Sequence, residues 1–453
     1  MTAALIYGLA VAGAATARAL MARGFDVVTA DDVDTPARRQ LAADLGVDLL
    51  IAPDDAQLAA VVGHSDVVVP APGVPEGHRV IIECRRAGRR IASEIELAYE
   101  WEQQRPGGPR PILAVTGTDG KTTTTLLTVA MLEAGGCRAV AAGNTDVPLV
   151  TAVELDIDAY VVECTSFRLA WTEHFRSEAA AWLNLAPDHL NWHDSLASYA
   201  AAKSKIFANQ RSSDVAIGYA DDPVVMRHLA TAPGRHVTFG SAGADYRADG
   251  GVLRSPHGEI TPVSAMRRSL PHDVTNGLAA AALVLESGLA DVSSVATALE
   301  SFIGPPHRIE LIAEAGGVAW FNDSKATTPH AAAAAIGGFG RVVLIAGGRN
   351  KGLDLAPLAA DPERISTVVA IGESSGDVTA AFAATGIPIV VAASMSEAVD
   401  VAGAAALPGD VVLLSPGCAS FDWYPDGGFE ARGDHFRDVV RQYLERSAAG
   451  AER

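Results

Sequence analysis

Residues 111–125, PILAVTGTDGKTTTT, narrow the folds open to this chain more than any other stretch. An apolar run at 112–115 leads into the glycine turn 117–120, and Lys121 and Thr122 open an apolar segment of helical length. A strand, a glycine turn and a helix start in this order surround phosphate oxygens with backbone N–H groups. The stretch therefore predicts an α/β domain that binds the phosphates of ATP or GTP.

The individual roles within this loop follow from the phosphate chemistry. Lys121 is predicted to reach the β- and γ-phosphates, and the Thr122 hydroxyl to bind Mg²⁺. Val115 stands where the full eight-residue pattern requires glycine, so the loop is a shortened variant. The predicted nucleotide contacts are consecutive: Gly117, Thr118, Asp119, Gly120, Lys121, Thr122 and Thr123.

Charge and cysteine content exclude several classes of protein. A net charge of −19 disfavours nucleic acid as a partner, since phosphate backbones bind basic surfaces. No apolar run is long enough to span a membrane, and the first residues lack the basic region of a secretion signal, so a cytoplasmic protein is expected. Neither a disulfide framework nor a zinc site is expected from four widely separated cysteines, which are Cys84, Cys137, Cys164 and Cys418.

Strands alternate with helices along the whole chain, which predicts three doubly wound α/β domains. The predicted boundaries are 1–97 for a Rossmann-like domain, 98–304 for a central P-loop ATPase-like domain and 305–453 for a second Rossmann-like domain. A polar Gly/Pro stretch ending a helix over 94–108 forms the first linker, and two prolines at 305–306 mark the second boundary. Five strands are expected in the third sheet.

The first predicted domain carries a GLAVAG turn over residues 8–13 and an acidic pair at the end of the next strand, beginning with Asp31. Such a turn fits NAD, another nucleotide, or only a close helix–strand contact. The segment is short for a complete dinucleotide domain, which favours a nucleoside diphosphate. A second turn, ending at Gly73, follows another strand.

Polar residues follow the strands of the central domain. Glu163 ends a buried strand and is placed to hold Mg²⁺ beside the phosphates. His189 lies four residues before a second histidine, but the oxygen-rich surroundings suit Mg²⁺ better than Zn²⁺. From the residues alone, Lys203 and Lys205 on the next helix are expected at the solvated surface. Asn276, near the start of an apolar helix, either caps that helix or contacts a base.

Three motifs occur in order, GTDGKTT, then PDHLNWH with AAK, then NDSKAT, and together they resemble the Mur ligase superfamily of three-domain, ATP-dependent amide-bond ligases. The resemblance covers essentially the whole chain. NDSKAT, GNTDVP and ECTSFRL are most similar to the members that add D-glutamate to UDP-N-acetylmuramoyl-L-alanine in cytoplasmic peptidoglycan precursor synthesis. The resemblance implies that ATP phosphorylates the alanine carboxylate and that the amine of D-glutamate attacks the acyl phosphate. A monomer is expected.

The resemblance also implies site residues. The catalytic set is Lys121, Glu163, His189 and Lys203. Two Mg²⁺ ions are implied, the first at Thr122 and Glu163, the second at His189 and at Lys203 carbamylated by CO₂. Further ATP contacts are Asn276, Arg308, Asp323 and Lys325. The UDP-substrate contacts are Gly8, Leu9, Ala10, Asp31, Pro72, Gly73 and Asn144, and the D-glutamate contacts are Thr327, Lys351, Ser420 and Phe429.

Some positions depart from the family pattern. Asp119 replaces an asparagine and is expected to weaken ATP binding unless it faces away or meets a metal, and Asp273 replaces an asparagine near adenine. Residues 31–33 lack an arginine expected to bind UDP.

Among other classes, a GTPase would need an [NT]KxD motif, and the near match at 350–354 is one residue too long. A dehydrogenase built on GLAVAG leaves the Lys121 loop unexplained.

Overall fold

Three β-sheets covered by helices organise the chain, and the computed structural model describes residues 2–451. The chain divides into two units. One holds the residues up to 268 together with Val274–Phe302, and the other holds Ser269–Asp273 together with the chain from Ile303 onward. The first two sheets belong to the first unit and the third sheet to the second unit.

The first sheet is fully parallel and has the strand order β3-β2-β1-β4-β5. Its strands are β1 (Ala3–Tyr7), β2 (Asp26–Asp31), β3 (Leu49–Ile51), β4 (Val67–Pro70) and β5 (Arg90–Ile91). The helices are α1 (Val11–Ala22), α2 (Pro36–Leu45), α3 (Asp55–His64), α4 (Arg79–Ala87) and α5 (Glu94–Gln103). Because parallel strands are covered on both faces, β4 is apolar at every position and fully buried.

The central sheet has the order β14-β13-β12-β11-β10-β9-β6-β8-β7 and is parallel from β12 to β7, with β13 and β14 antiparallel at one edge. Its strands are β6 (Ile112–Thr116), β7 (Ala139–Gly143), β8 (Ala159–Glu163), β9 (Ala179–Trp182), β10 (Val215–Tyr219), β11 (Arg235–Gly240), β12 (Tyr246–Asp249), β13 (Val252–Ser255) and β14 (Gly258–Pro262). The helices are α6 (Lys121–Ala134), α7 (Leu149–Ala152), α8 (Ser166–Ala170), α9 (Leu196–Ala208), α10 (Pro223–Leu229), α11 (Pro271–Ser287) and α12 (Val292–Ser301).

The third sheet has the order β15-β16-β20-β17-β18-β19, with only β15 antiparallel to its neighbour. Its strands are β15 (Glu310–Ala315), β16 (Val318–Asn322), β17 (Val342–Gly347), β18 (Ile365–Ile371), β19 (Ile389–Ala392) and β20 (Val411–Leu414). The helices are α13 (Pro329–Gly337), α14 (Ser375–Phe382), α15 (Met395–Ala405) and α16 (Gly428–Ala451).

The predicted fold class, three α/β sheets that are mainly parallel, is confirmed. Three local expectations are wrong. The third sheet has six strands rather than five, and β15, which carries Glu310 and Glu314 and is partly exposed, lacks the apolar run of a buried strand. The short strand β3 was not predicted, and α5 ends at Gln103 rather than near residue 108.

Among the helices of residues 2–451, none combines the length and the apolar character needed to cross a membrane.

Candidate active site

The phosphate loop follows β6, which lies between β9 and β8 in the middle of the central sheet. Gly120 has a φ of +82°, a conformation that favours glycine, and immediately precedes α6. A Cβ at this position would lie 2.5 Å from Asn276 Oδ1 and 3.2 Å from Leu183 Cδ1, so a side chain there would force its neighbours to move. The carboxyl ends of β6, β7, β8 and β9 share one edge of the parallel sheet, and every predicted central-site residue from 117 to 189 either ends or follows one of these strands.

Asn184, two residues beyond β9, holds the loop in place and was missed from the sequence. Its Oδ1 accepts from the backbone N–H groups of Thr118 and Asp119, both at 2.9 Å, and its Nδ2 donates to Asp119 O at 3.3 Å. The side chain of Thr118 accepts from the N–H of Ala186 at 3.0 Å. A polar residue directly after an apolar strand is the feature that singled out Glu163, and it could have identified Asn184 in the same way.

Two lysines meet at one backbone oxygen of the loop. Lys121 Nζ donates to Gly117 O at 2.9 Å and to Thr118 O at 2.7 Å, and Lys203 Nζ donates to Gly117 O at 2.5 Å. Lys203 is 1% exposed, and burial, with the nearby Lys121 charge, lowers its pKa well below the ordinary value for lysine. The expectation that both helix lysines are solvated is therefore wrong, since Lys203 is buried and Lys205 is half-buried.

Glu163 is also buried, at 1% exposure, where β8 ends. Its Oε1 accepts from Asn144 Nδ2 at 2.8 Å, whereas its Oε2 has no hydrogen-bond partner. A buried carboxylate oxygen without a partner is unfavourable unless a cation or another donor completes it. The site therefore fits a divalent cation with oxygen ligands, and Thr122, the second residue of α6, supplies a hydroxyl oxygen at the start of the adjoining helix.

His189 lies in the loop between β9 and α9 and has a φ of +56°. Its backbone N–H donates to Asp188 Oδ1 at 2.7 Å, and its ring Nε2 is 3.2 Å from Asp188 Oδ2. The ring centroid is 6.2 Å from that of Tyr199. The ring centroid of Tyr199 also lies 4.5 Å from Lys203 Nζ, and its hydroxyl oxygen lies 3.3 Å from Thr118 Oγ1. The structure thus brings His189, Lys203 and the phosphate loop around one tyrosine.

His193 forms the buried side of this loop. Its Nε2 lies 2.9 Å from Ser166 Oγ, while Nδ1 has no hydrogen-bond partner and lies 3.7 Å from Glu76 Oε1. Burial, with a smaller contribution from His189, lowers the pKa of His193 to about 4. The folded protein therefore holds this imidazole in its neutral form.

We expect His193→Gln to reduce the acid sensitivity of folding. The pKa is about 4 in the folded state against 6.5 ordinarily, so the folded state binds fewer protons between these values and stability falls as the pH drops through them. Between pH 7.5 and pH 5 the free energy of unfolding of the unsubstituted protein should fall by about 2 kcal/mol more than that of the variant. Urea unfolding at both pH values measures this, with His64→Gln at the exposed end of α3 as the control. Equal pH dependence in the protein and both variants would show that His193 is solvated.

The turns of the first sheet lie at its carboxyl edge. Gly8 has a φ of +101° and precedes α1, and a Cβ there would lie 2.6 Å from Ala71 Cβ. Leu9 N–H donates to Asp31 Oδ2 at 2.8 Å, and Arg38 Nε lies 2.9 Å from the same oxygen. Residues 31–33 do lack an arginine, but α2 supplies one beside Asp31. Among the other predicted substrate contacts, Ala10 is the N-cap of α1, and Pro72 and Gly73 follow β4.

Pro72 is joined to the central domain, because its carbonyl oxygen accepts from Trp192 Nε1 at 3.0 Å. Asn144 follows β7, and its backbone N–H donates to Glu163 O at 3.0 Å.

One prediction for Asn276 is wrong. It is the sixth residue of α11 rather than its cap, and its Oδ1 accepts from Thr124 Oγ1 at 3.3 Å, so it lies against the first turn of α6.

In the second unit, the predicted residues other than Arg308 and Phe429 follow the carboxyl ends of parallel strands. Asp323 follows β16, accepts from Ser415 Oγ at 2.7 Å and from the N–H of Ile309 at 3.2 Å. Lys325 Nζ lies 3.7 Å above the ring centroid of Phe429. The remaining positions are Arg308 before β15, Thr327 before the N-cap of α13, Lys351 in the exposed turn after β17, and Ser420, buried after β20.

Arg432, on α16, connects these turns and was missed from the sequence. It is 1% exposed. Its Nε and Nη2 donate to Ser324 Oγ at 2.9 Å and Ser324 O at 2.7 Å, and its Nη1 donates to Cys418 O at 3.1 Å. A Cβ on Gly348 would lie 3.0 Å from Nη1, so the turn after β17 packs on the same guanidinium. Burial lowers the pKa of Arg432 to about 10. Arg432 lies in the sequence FEARGD at residues 429–434, and nothing in that pattern indicates that its charge is buried.

Comparison with known proteins agrees with the motifs. The Mur ligase middle domain matches residues 115–284, and the Mur ligase, glutamate ligase domain matches residues 307–418. The chain is 42% identical to the UDP-N-acetylmuramoylalanine--D-glutamate ligase of Frankia casuarinae, covering 96% of this chain and 93% of that one. It is 37% identical to the protein of the same name from Geobacter metallireducens, covering 96% of each.

Solved structures show the same fold. The UDP-N-acetylmuramate-alanine ligase of Thermotoga maritima aligns with a TM-score of 0.59 at 20% identity, over 98% of this chain and 100% of that one. MurF from Acinetobacter baumannii aligns with a TM-score of 0.60 at 18% identity, over 90% of each chain. Given the identity to full-length relatives, this chain belongs to the Mur ligase family, in the group of UDP-N-acetylmuramoylalanine--D-glutamate ligases.

Proposed function

We propose that this protein joins D-glutamate to UDP-N-acetylmuramoyl-L-alanine, using ATP, in peptidoglycan precursor synthesis. The observation that carries the proposal is the identity of 42% along nearly the whole chain to a relative with this name. In the proposed reaction the alanine carboxylate attacks the γ-phosphorus of ATP and releases ADP. The amine of D-glutamate then attacks the acyl phosphate, and loss of phosphate and a proton leaves the amide.

The first step brings together two anions, so positive charge is the main catalytic requirement. Lys121, at the phosphate loop, supports this role by its position at the start of α6. We propose that Thr122 and Glu163 hold one Mg²⁺ and that His189 helps to hold a second. Mg²⁺ bound there would neutralise phosphate charge. The unpartnered Glu163 Oε2 supports the first of these sites.

We further propose that Lys203 reacts with CO₂ to form a carbamate. Only a neutral amine has the lone pair for this addition, in which an N–C bond forms and a proton leaves. The lowered pKa of Lys203 supports the neutral form. A carbamate would convert the buried amine beside Lys121 into an anionic oxygen ligand, which would account for a second lysine so close to the first.

The remaining assignments follow the order of the chain. We propose that 1–97 binds the UDP substrate, that 98–304 binds ATP, and that 305–453 binds D-glutamate through Thr327, Lys351, Ser420 and Phe429. Contacts from Asn276, Arg308, Asp323 and Lys325 complete the proposed ATP site. We propose a monomer that works in the cytoplasm, where ATP is present.

An amino-acid panel tests the function. With ATP, Mg²⁺ and UDP-N-acetylmuramoyl-L-alanine present, we expect D-glutamate alone to support phosphate release, because the unit with Lys351 and Ser420 is proposed to recognise its two carboxylates. L-glutamate, D-alanine and meso-diaminopimelate serve as controls. Turnover with another amino acid and none with D-glutamate would contradict the proposal.

A further inference from the structure

A continuous chain of hydrogen bonds runs from the start of α5 to the carboxylate beside the phosphate loop. Arg168 Nε donates to Glu94 Oε1 at 3.0 Å, and Arg168 Nη1 donates to Asn144 Oδ1 at 2.8 Å. Asn144 Nδ2 then donates to Glu163 Oε1 at 2.8 Å. Glu94, Arg168 and Glu163 are each at most 5% exposed, so water screens these charges little.

Arg168 sets which way the Asn144 amide faces in this series of hydrogen bonds. A guanidinium carries only donors, so it can bind only the oxygen of the Asn144 amide. The NH₂ group of that amide is thereby turned toward Glu163, where it holds Oε1. The remaining oxygen, Oε2, is the buried one without a partner. Without Arg168 only the carboxylate itself would favour this orientation of the amide, so Asn144 would be held less firmly against Oε1.

We propose that Arg168 is a positioning residue for the divalent cation of the phosphate loop, acting through Asn144 to fix which oxygen of Glu163 faces the cation. This inference rests on the proposed function, since that cation is the one that accompanies ATP. Residues that orient a metal ligand commonly change metal affinity by about 10- to 100-fold when they are replaced.

The fold provides a matched control on the same helix. Glu94 begins α5 and pairs with Arg168, whereas Glu102, near its end, pairs with Arg110 at 2.7 Å. The Arg110 and Glu102 side chains are 7% and 2% exposed, so this pair is buried like the first. Both pairs fasten α5 to the central domain, but only the first continues to Glu163. A merely structural role for Arg168 therefore predicts equal effects from loss of either pair.

The test compares two double variants, Arg168→Met with Glu94→Gln and Arg110→Met with Glu102→Gln. Each removes both charges, so that no buried charge is left unpaired. Mn²⁺ binding in the presence of ADP is measured by electron paramagnetic resonance, without turnover. We expect Mn²⁺ affinity to fall about 10- to 100-fold in the first double variant and to stay unchanged in the second.

If the first double variant does not fold, Arg168→Lys decides the question. It keeps a cation for Glu94 but cannot hold Glu94 and Asn144 in the geometry of a guanidinium, so the same weakening is expected. Unchanged Mn²⁺ affinity in a folded Arg168 variant, or equal weakening in the Arg110 control, would overturn the inference. An unsubstituted protein without D-glutamate-dependent turnover would instead contradict the proposed function.

Discussion

Lys121→Ala should lower ATP-dependent phosphate release by about 10³-fold. Lys121 Nζ donates to the Gly117 and Thr118 carbonyl oxygens of the loop, and we propose that it binds the β- and γ-phosphates when ATP is present. Its removal would take one positive charge away from the transferring phosphoryl group, beside the charge that a bound Mg²⁺ would supply. Binding of UDP-N-acetylmuramoyl-L-alanine should stay within a few-fold, because that ligand is proposed to bind mainly on the first sheet. Phosphate release and calorimetric titration with the UDP substrate measure the two effects.

Lys205→Ala is the matched control for this loss. Lys205 also donates to two backbone carbonyl oxygens, of Ala170 at 2.6 Å and Thr172 at 3.1 Å, but neither residue belongs to the phosphate loop. The control should keep its phosphate release. Equal loss of catalysis and UDP-substrate binding in Lys121→Ala would contradict the division of the two sites between domains.

Lys203→Ala should reduce activity by about 100-fold, and added acetate or formate should restore part of it. The substitution leaves a space where the proposed carbamate would stand, and a small carboxylate can supply the missing oxygen ligands. The unsubstituted enzyme should lose activity in CO₂-depleted buffer and recover it with bicarbonate. Phosphate release with and without each additive measures both effects.

The same Lys205→Ala variant controls for the helix, since it removes a lysine two residues away on α9. Neither acetate nor bicarbonate should change its rate beyond that of the unsubstituted enzyme. A fully active Lys203→Ala protein that is indifferent to bicarbonate would remove Lys203 from the metal site.

The fold could be predicted from the sequence where local patterns and burial agree. The apolar strands beside the phosphate loop are continuous runs because helices cover both faces of a parallel sheet. Glu163 was placed at a strand end by the same pattern, and the structure has it at the last position of β8. Strand β15 lacks this pattern, because Glu310 and Glu314 interrupt its apolar residues at partly exposed positions.

Side-chain partners far apart in the chain could not be predicted in this way. Asn184 reaches back 65 residues to Asp119, and Arg432 reaches back 108 residues to Ser324. Whether a charge is buried depends on such contacts, since Lys203 and Lys205 occupy similar positions in the sequence of α9 but differ in exposure. The helix pattern alone could not separate them.

The guanidinium of Arg432 couples the positions of turns that are otherwise separate in the second unit. The turns after β16, β17 and β20 all contact this rigid, planar group, so a shift in one turn would be transmitted to the other two. The proposed amino-acid pocket then keeps its shape before any ligand arrives, and less conformational entropy is lost on capture. A substitution that displaces one of these turns should therefore also disturb the guanidinium that the other two contact.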